Sequence, residues 1–73
     1  MQPLVEELEA FGRILYGQHW QRPTADALNL DPRTIRYWLS GQGGPTREHV
    51  RVLGRLVDEQ MAKWAEIRAF YGD

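Results

Sequence analysis

The residues with reactive side chains are few in this chain of 73 residues, and they are scattered. The histidines are His19 and His49, and the one serine is Ser40. Nucleophilic catalysis needs a nucleophile, a base and a group that orients the base, and the spacing of these residues does not group them. The chain has no cysteine, and its two histidines are not one helical turn apart, as metal-binding pairs often are. We therefore predict that the chain is not an enzyme and binds neither a metal nor a cofactor.

Arginines are concentrated in the middle of the chain, and acidic residues flank them. Residues 13–55 carry seven arginines and three acids, a net charge of +4. Residues 1–12 have a net charge of −3 and residues 56–73 one of −2, which gives −1 for the whole chain. Such segregation can attract an anionic partner. Charge alone does not decide between a nucleic-acid partner and chance segregation in a short chain, because the pI of about 6.1 is ordinary for a protein.

Apolar residues recur at steps of three and four along the whole chain, which predicts an all-α fold with four helices and no strand. The first helix is expected at 3–16, with Val5 and Ile14 widening its apolar stripe. The second is expected at about 21–28, with a start nearer Pro23 because residues before proline avoid helical angles. The third is expected at 32–40, and the fourth at about 46–70, after a Thr46 cap. Gly12 is either a weak point of the first helix or a place of close approach. We expect Trp20 to be a hydrophobic plug between helices.

Within residues 25–41, helix packing can explain each apolar residue. Ala25 is small enough for two helices to cross there, and Leu28 and Leu30 can fill the space below the turn. Steps of three and four place Ile35, Trp38 and Leu39 on the buried face of the third helix. The residues left on its open face are Pro32, Arg33, Arg36, Tyr37 and Ser40.

This stretch resembles the helix-turn-helix of the phage Cro and repressor class, the lambda-repressor-like or XRE-type domains. Those families place alanine, a turn glycine, a small polar cap, isoleucine or valine, tryptophan or leucine, and a closing glycine at set intervals. The matching residues here are Ala25, Asn29, Asp31, Ile35, Trp38 and Gly41. Asn29 in place of glycine is the main departure, and asparagine also tolerates positive φ. The motif spans about 21–40, and the order of the helices resembles that of the family from Leu4 to about Val57. In size the chain also resembles small autorepressors, including the anti-CRISPR-associated regulators.

The resemblance implies a DNA-binding surface. Its base-contacting residues would be Pro32, Arg33, Arg36 and Tyr37, and its phosphate-contacting residues Gln21, Arg22, Thr34, Ser40 and Arg47. Independently, the planar fork of an arginine near a helix N-terminus matches the acceptor pair of guanine. The alternative is a solvated face on which Arg33 and Arg36 pair with Asp26 or Asp31. Tyr37 could equally be partly buried against a neighbouring helix.

The fourth helix is longer than a domain of this size can cover with its own core, at about 37 Å for 46–70. We expect its surplus to form a homodimer interface of Val57, Met61, Trp64 and Ile67, with Glu59 and Lys63 at the rim. The alternative is that Trp64 folds back on the first helix.

Together these features predict a sequence-specific regulator of transcription that binds double-stranded DNA. It would be a homodimeric repressor that binds an inverted repeat and occludes a promoter. The alternative is a protein–protein interaction module, such as an antirepressor or adaptor, built on the same scaffold. The acidic N-terminus is unlike a signal peptide, and no apolar run approaches the ~20 residues of a membrane span, so we expect a cytoplasmic protein without a membrane role.

Overall fold

The computed structural model describes residues 3–71, which form four α-helices and no strand. The helices are α1 (Pro3–Tyr16), α2 (Gln21–Leu28), α3 (Pro32–Leu39) and α4 (Arg47–Phe70), and a 3₁₀ turn at Gly17–His19 joins α1 to α2. The all-α class and the four helices are thereby confirmed. The expected bounds of about 21–28 for α2 are confirmed. The preference for a start nearer Pro23 is wrong, because α2 begins at Gln21 and the proline lies within its first turn, where a missing N–H costs no helical hydrogen bond.

The turn between α2 and α3 has the local chemistry that the sequence predicts. Asn29 has a left-handed φ of 61° and ends α2. The Asp31 carboxylate caps α3 by accepting a hydrogen bond from the Arg33 N–H at 2.8 Å, and Pro32 occupies the first helical position. Gly41 follows α3 with a φ of 93°, which suits a residue without a Cβ.

The start of α4 is held by a reciprocal cap. The Thr46 hydroxyl accepts from the His49 N–H at 3.3 Å, and His49 Nδ1 accepts from the Thr46 N–H at 3.1 Å. The His49 ring also packs against the Trp38 indole, with 5.4 Å between ring centroids. This one histidine therefore connects the last turn of α3 to the first turn of α4.

The core lies where α1 and α4 pack side by side and the α2–α3 pair covers them. Helices α1 and α4 run in the same direction, because Leu4 lines a cleft with Arg47 near their starts and Phe11 lies against Gly54 further along. Trp20 is 1% exposed, which confirms it as a plug between helices. The buried residues that form the central cluster are Leu8, Trp20, Ala25, Ile35, Val50 and Leu53.

Gly12 marks a close approach between α1 and the start of α2. A Cβ at this position would lie 2.6 Å from Trp20 Cε3 and 2.9 Å from Thr24 Oγ1, distances that no real contact tolerates. Thr24 is completely buried, and its hydroxyl has no hydrogen-bond partner among the described residues. The crossing of α1 and α2 therefore depends on a missing side chain at Gly12.

Several apolar residues lie elsewhere than the sequence predicts. Ile14 is 62% exposed, because it lies on the side of α1 that no helix covers. Leu39 is also exposed, at the end of α3 and at the margin of the core. Val57 is buried in the single chain, at 6% exposure, so it belongs to the core and offers no free surface to a partner. Trp64 does not fold back on α1, since α1 ends at Tyr16 and leaves the later turns of α4 uncovered.

We expect Gly12→Ala to destabilise the protein by about 1–3 kcal/mol, because the added methyl overpacks against Trp20. Gly54→Ala is the matched control: its Cβ would lie 3.4 Å from Phe11, an ordinary contact, so the helix propensity of alanine should stabilise α4 by up to ~1 kcal/mol. Urea unfolding at one protein concentration measures both. Equal effects of the two substitutions would contradict this account of the α1–α2 crossing.

Candidate nucleic-acid interface

Helix α3 is buried on one side and open on the other. Ile35 is fully buried in the core, and the residues two positions before it and one and two after it are exposed. These are Arg33, Arg36 and Tyr37, and the tyrosine is 53% exposed. At 3.6 residues per turn all three lie on the side of the helix away from Ile35. A narrow, rigidly seated helix thus presents two guanidinium groups and a phenol to solvent.

The remaining predicted base-contacting residue is Pro32, which is half-buried in the first turn of α3. Arg33 Nε lies 3.5 Å from a carboxylate oxygen of Asp31, so the ion pair that the sequence left as an alternative is present. Both side chains are more than half exposed, and exposed pairs of this kind contribute little to stability. The Arg33 guanidinium can therefore exchange this carboxylate for another acceptor. Tyr37 is covered over only about half of its surface, so the rest of the side chain is open to solvent.

The predicted phosphate-contacting residues fall into two groups. Ser40 follows the last residue of α3 and Arg47 is the first residue of α4, each two residues along the chain from the Trp38–His49 contact, and both are exposed. The Ser40 hydroxyl donates to the Tyr37 carbonyl at 2.8 Å, which leaves its oxygen lone pairs as acceptors and gives a phosphate no free proton. Thr34 is half-buried on α3. Ser40 and Thr34 therefore offer less to a phosphate than Arg47 does.

Gln21 and Arg22 form the second group, in the first turn of α2. Arg22 is exposed and Gln21 is half-buried. The preceding residue is Trp20, and no side chain caps this helix end. The first N–H groups of a helix have no partner within it, and together with the helix dipole they favour an anion. An exposed arginine beside uncapped N–H groups is a suitable arrangement for a backbone phosphate.

The electrostatic field of α3 acts on its own cap. The pKa of the Asp31 carboxyl is lowered from its ordinary value, first by the hydrogen bond from the Arg33 N–H and then by the positive charges of Arg33 and Arg36. Desolvation acts in the opposite direction and is outweighed. Asp31 is therefore an anion at neutral pH that holds the N-terminus of α3 and partly offsets the charge of its arginines.

Two arginines of α4 differ in what they can offer. Arg47 and Arg51 are one helical turn apart, and both line the cleft between α4 and the start of α1. Arg51 Nη1 lies 3.4 Å from a carboxylate oxygen of Glu48. Arg47 is the first residue of α4, one residue after its cap. Arg51 therefore provides an exposed positive charge that is paired with a carboxylate and lies one turn beyond the start of α4.

The last turns of α4 form a second exposed surface. Of the residues predicted to meet a partner, Met61, Trp64 and Ile67 are exposed, with Trp64 at 58%. Phe70 and Tyr71, which the interface prediction did not include, are more exposed still. We call this surface the apolar tail; its residues are Met61, Trp64, Ile67, Phe70 and Tyr71. Grouped exposed apolar side chains of this kind mark interaction surfaces in many proteins.

No family model, curated protein or solved structure matches this chain. Within residues 3–71, no three histidine, aspartate or glutamate side chains are grouped as metal ligands would be. The same residues contain no helix with the length and apolar character needed to cross a bilayer. The interpretation of both surfaces therefore rests on their own geometry and charge.

Asp31→Ala should lower stability at neutral pH, and the difference from wild type should become smaller in acid. Because the folded pKa of Asp31 lies below the ordinary 3.8, the charge of the carboxylate cap contributes fully above that value. This charge contribution is lost as the pH falls through the lower, folded pKa, and the neutral carboxyl caps through its carbonyl oxygen alone. Asp31→Asn is the control, since an amide caps without titrating. Urea unfolding across a pH series measures both, and a difference between wild type and Asp31→Ala that does not decrease in acid would contradict the charged cap.

Proposed function

We propose that this protein is a sequence-specific, double-stranded DNA-binding regulator that inserts α3 into the major groove. It acts as a homodimer on an inverted repeat and represses transcription by occluding a promoter. The observation that carries the proposal is the two-sided character of α3, with Ile35 fully buried and Arg33, Arg36 and Tyr37 exposed opposite it. A helix held by one side and charged on the other can enter a groove about 12 Å wide without unfolding its support.

The connection between α2 and α3 supports a helix-turn-helix assignment. The Leu30 N–H donates to the Ala25 carbonyl at 2.8 Å, and the Asn29 N–H donates to the Asp26 carbonyl at 3.1 Å. These bonds and the left-handed Asn29 end α2 abruptly, and α3 begins at Pro32. In DNA-binding helix-turn-helix units the second helix reads the groove, and the first crosses the backbone. The second helix here is α3.

Arg33 is the residue we assign to base recognition first. It lies in the first turn of α3, and the N-terminal residues of a recognition helix are the ones that reach base edges. Its guanidinium can donate two parallel hydrogen bonds to O6 and N7 of guanine. Arg36, one turn further along, reaches a base or a phosphate, and the Tyr37 ring can contact a thymine methyl.

Phosphate contacts would set the position of α3 on the duplex. The uncapped start of α2 with Gln21 and Arg22 provides one of them, and Arg47 at the start of α4 provides another. Contacts of this kind fix the register of the protein without reading sequence. Occupation of a site that overlaps a promoter then suffices for repression, because it needs no further contact with polymerase.

The apolar tail favours a second candidate function, a protein–protein interaction module such as an antirepressor or adaptor. In that case the tail and the acidic ends of the chain would do the binding, and α3 would serve only as a scaffold. The two functions differ in whether the protein selects DNA sequences and in which substitutions abolish its activity.

Selection from a random duplex library at near-physiological salt tests the proposal. We expect wild-type protein to enrich an inverted repeat whose half-sites are about 34 Å apart, one turn of DNA. Arg33→Ala should relax the preference at one base pair of each half-site. Absence of enrichment above the input library would refute sequence-specific DNA binding and favour the interaction module.

Titration of the enriched duplex distinguishes residues that contact bases from residues that contact phosphates. Arg33→Ala should weaken binding by about 1–3 kcal/mol, because a bidentate base contact is lost. Arg47→Ala should weaken binding to all duplexes alike and reduce the slope of log K against log salt by about one phosphate contact. Arg51→Ala is the matched control, since it removes an exposed arginine charge that lies on α4 and is paired with Glu48. Equal losses for Arg33→Ala and Arg51→Ala would show that only net charge matters and would contradict the assigned contact.

A further inference from the structure

The apolar stripe of α4 that builds the core continues beyond the core. Helix α4 has 24 residues and is therefore about 36 Å long. The stripe starts with Val50, Leu53 and Val57, which are buried, and continues at steps of three and four, through the polar Gln60, to Trp64, Ile67 and Tyr71, which are exposed. Helix α1, the neighbour that runs alongside α4 in the same direction, ends at Tyr16. The exposed stripe therefore continues the core-facing side of α4 beyond the end of α1.

We propose that the apolar tail pairs with the same tail of a second copy in antiparallel orientation, centred on the turn that holds Lys63 and Trp64. This inference rests on the proposed homodimeric function and specifies how the two copies meet. A two-fold interface uses the same patch on both copies, so each position faces the one equally far on the other side of the centre. Ile67 then faces Met61 of the second copy, and the two Trp64 side chains pack at the middle.

Charge decides the orientation. Arg68 lies within the stripe, one turn beyond Trp64, and Asp58 lies beside the stripe before it; both are exposed. Antiparallel pairing brings Arg68 of one copy to the turn that holds Asp58 of the other, so opposite charges meet at both ends of the interface. Parallel pairing would set Arg68 against Arg68, and like charges across an interface are unfavourable. Lys63, at the centre, faces its own copy in either orientation and so does not discriminate between them. The antiparallel arrangement leaves the apolar contacts intact and pairs Arg68, the basic residue within the stripe, with an acid.

The same arrangement fixes the distance between the two DNA-reading helices. Leu53 and Ile35 lie in one buried cluster, so the position of Leu53 along α4 marks the level of α3. Leu53 is eleven residues from Trp64, which at 1.5 Å per residue places the Leu53 levels of the two copies about 33 Å apart along the helix axis. One turn of B-DNA is about 34 Å, the usual distance between half-sites. The length of the tail therefore matches the spacing that a two-fold DNA reader needs.

Cysteine cross-linking tests the orientation without DNA, and the 73 residues of the chain include no cysteine. We expect oxidation of Asp58→Cys alone, or of Arg68→Cys alone, to give almost no covalent dimer. Oxidation of an equimolar mixture of the two should give the mixed dimer, resolved by mass spectrometry. Self-cross-linking of Arg68→Cys would overturn the antiparallel orientation. Absence of covalent dimer in every case, at a concentration where wild type sediments as a dimer, would overturn the use of this surface.

Trp64→Glu tests the centre of the interface and should raise the dimer dissociation constant by at least about thirty-fold in analytical ultracentrifugation. Ile14→Glu is the matched control, because Ile14 is 62% exposed on α1 and lies outside the apolar tail, so this substitution should leave the dissociation constant nearly unchanged. Circular dichroism confirms the fold of both variants. Equal effects, or a wild type that is monomeric at all concentrations, would overturn the proposal. Failure of DNA selection with an intact antiparallel dimer would refute the DNA function alone.

Discussion

The whole arrangement depends on the burial of Ile35. An isolated helix of eight residues is unstable in water, because nucleation costs more than so few hydrogen bonds return. Helix α3 exists because Ile35 is fixed in the core beside Leu8 and Leu53, while Asp31 caps one end and Trp38 packs on His49 at the other. The same contacts determine which side of α3 remains in solvent. One side of α3 thus packs in the core, and the opposite side carries the candidate site.

The rest of the core holds Ile35 and α3 in position. Trp20 fills the space at the α1–α2 crossing, where Gly12 leaves room for its ring. The left-handed Asn29 then directs the chain from α2 into α3. The price is a fully buried Thr24 hydroxyl without a hydrogen-bond partner among residues 3–71. Dense packing of few residues compensates for the small size of the domain, which has no cysteine with which to form a disulfide.

The features that the sequence predicts well are local ones. The bounds of α1, the Asp31 and Thr46 caps and the positive φ of Asn29 follow from residues within one turn of each feature, because capping and turn chemistry act at that range. The open face of α3 is also foreseeable from periodicity. The burial of Val57 and the exposure of Ile14 are not, because they depend on where α1 ends relative to α4. The contact of His49 with Trp38 joins two elements, and no local pattern predicts it. The DNA-contacting roles come from resemblance and charge, and they stand as proposals.

The most direct measurement of the central claim is a chemical-shift titration of ¹⁵N-labelled protein with the duplex that selection enriches. If α3 reads DNA, the largest changes fall on amides 33–40, with smaller ones in the first turns of α2 and α4 and none within the apolar tail. Changes confined to the apolar tail, with those of α3 unmoved, would contradict the account.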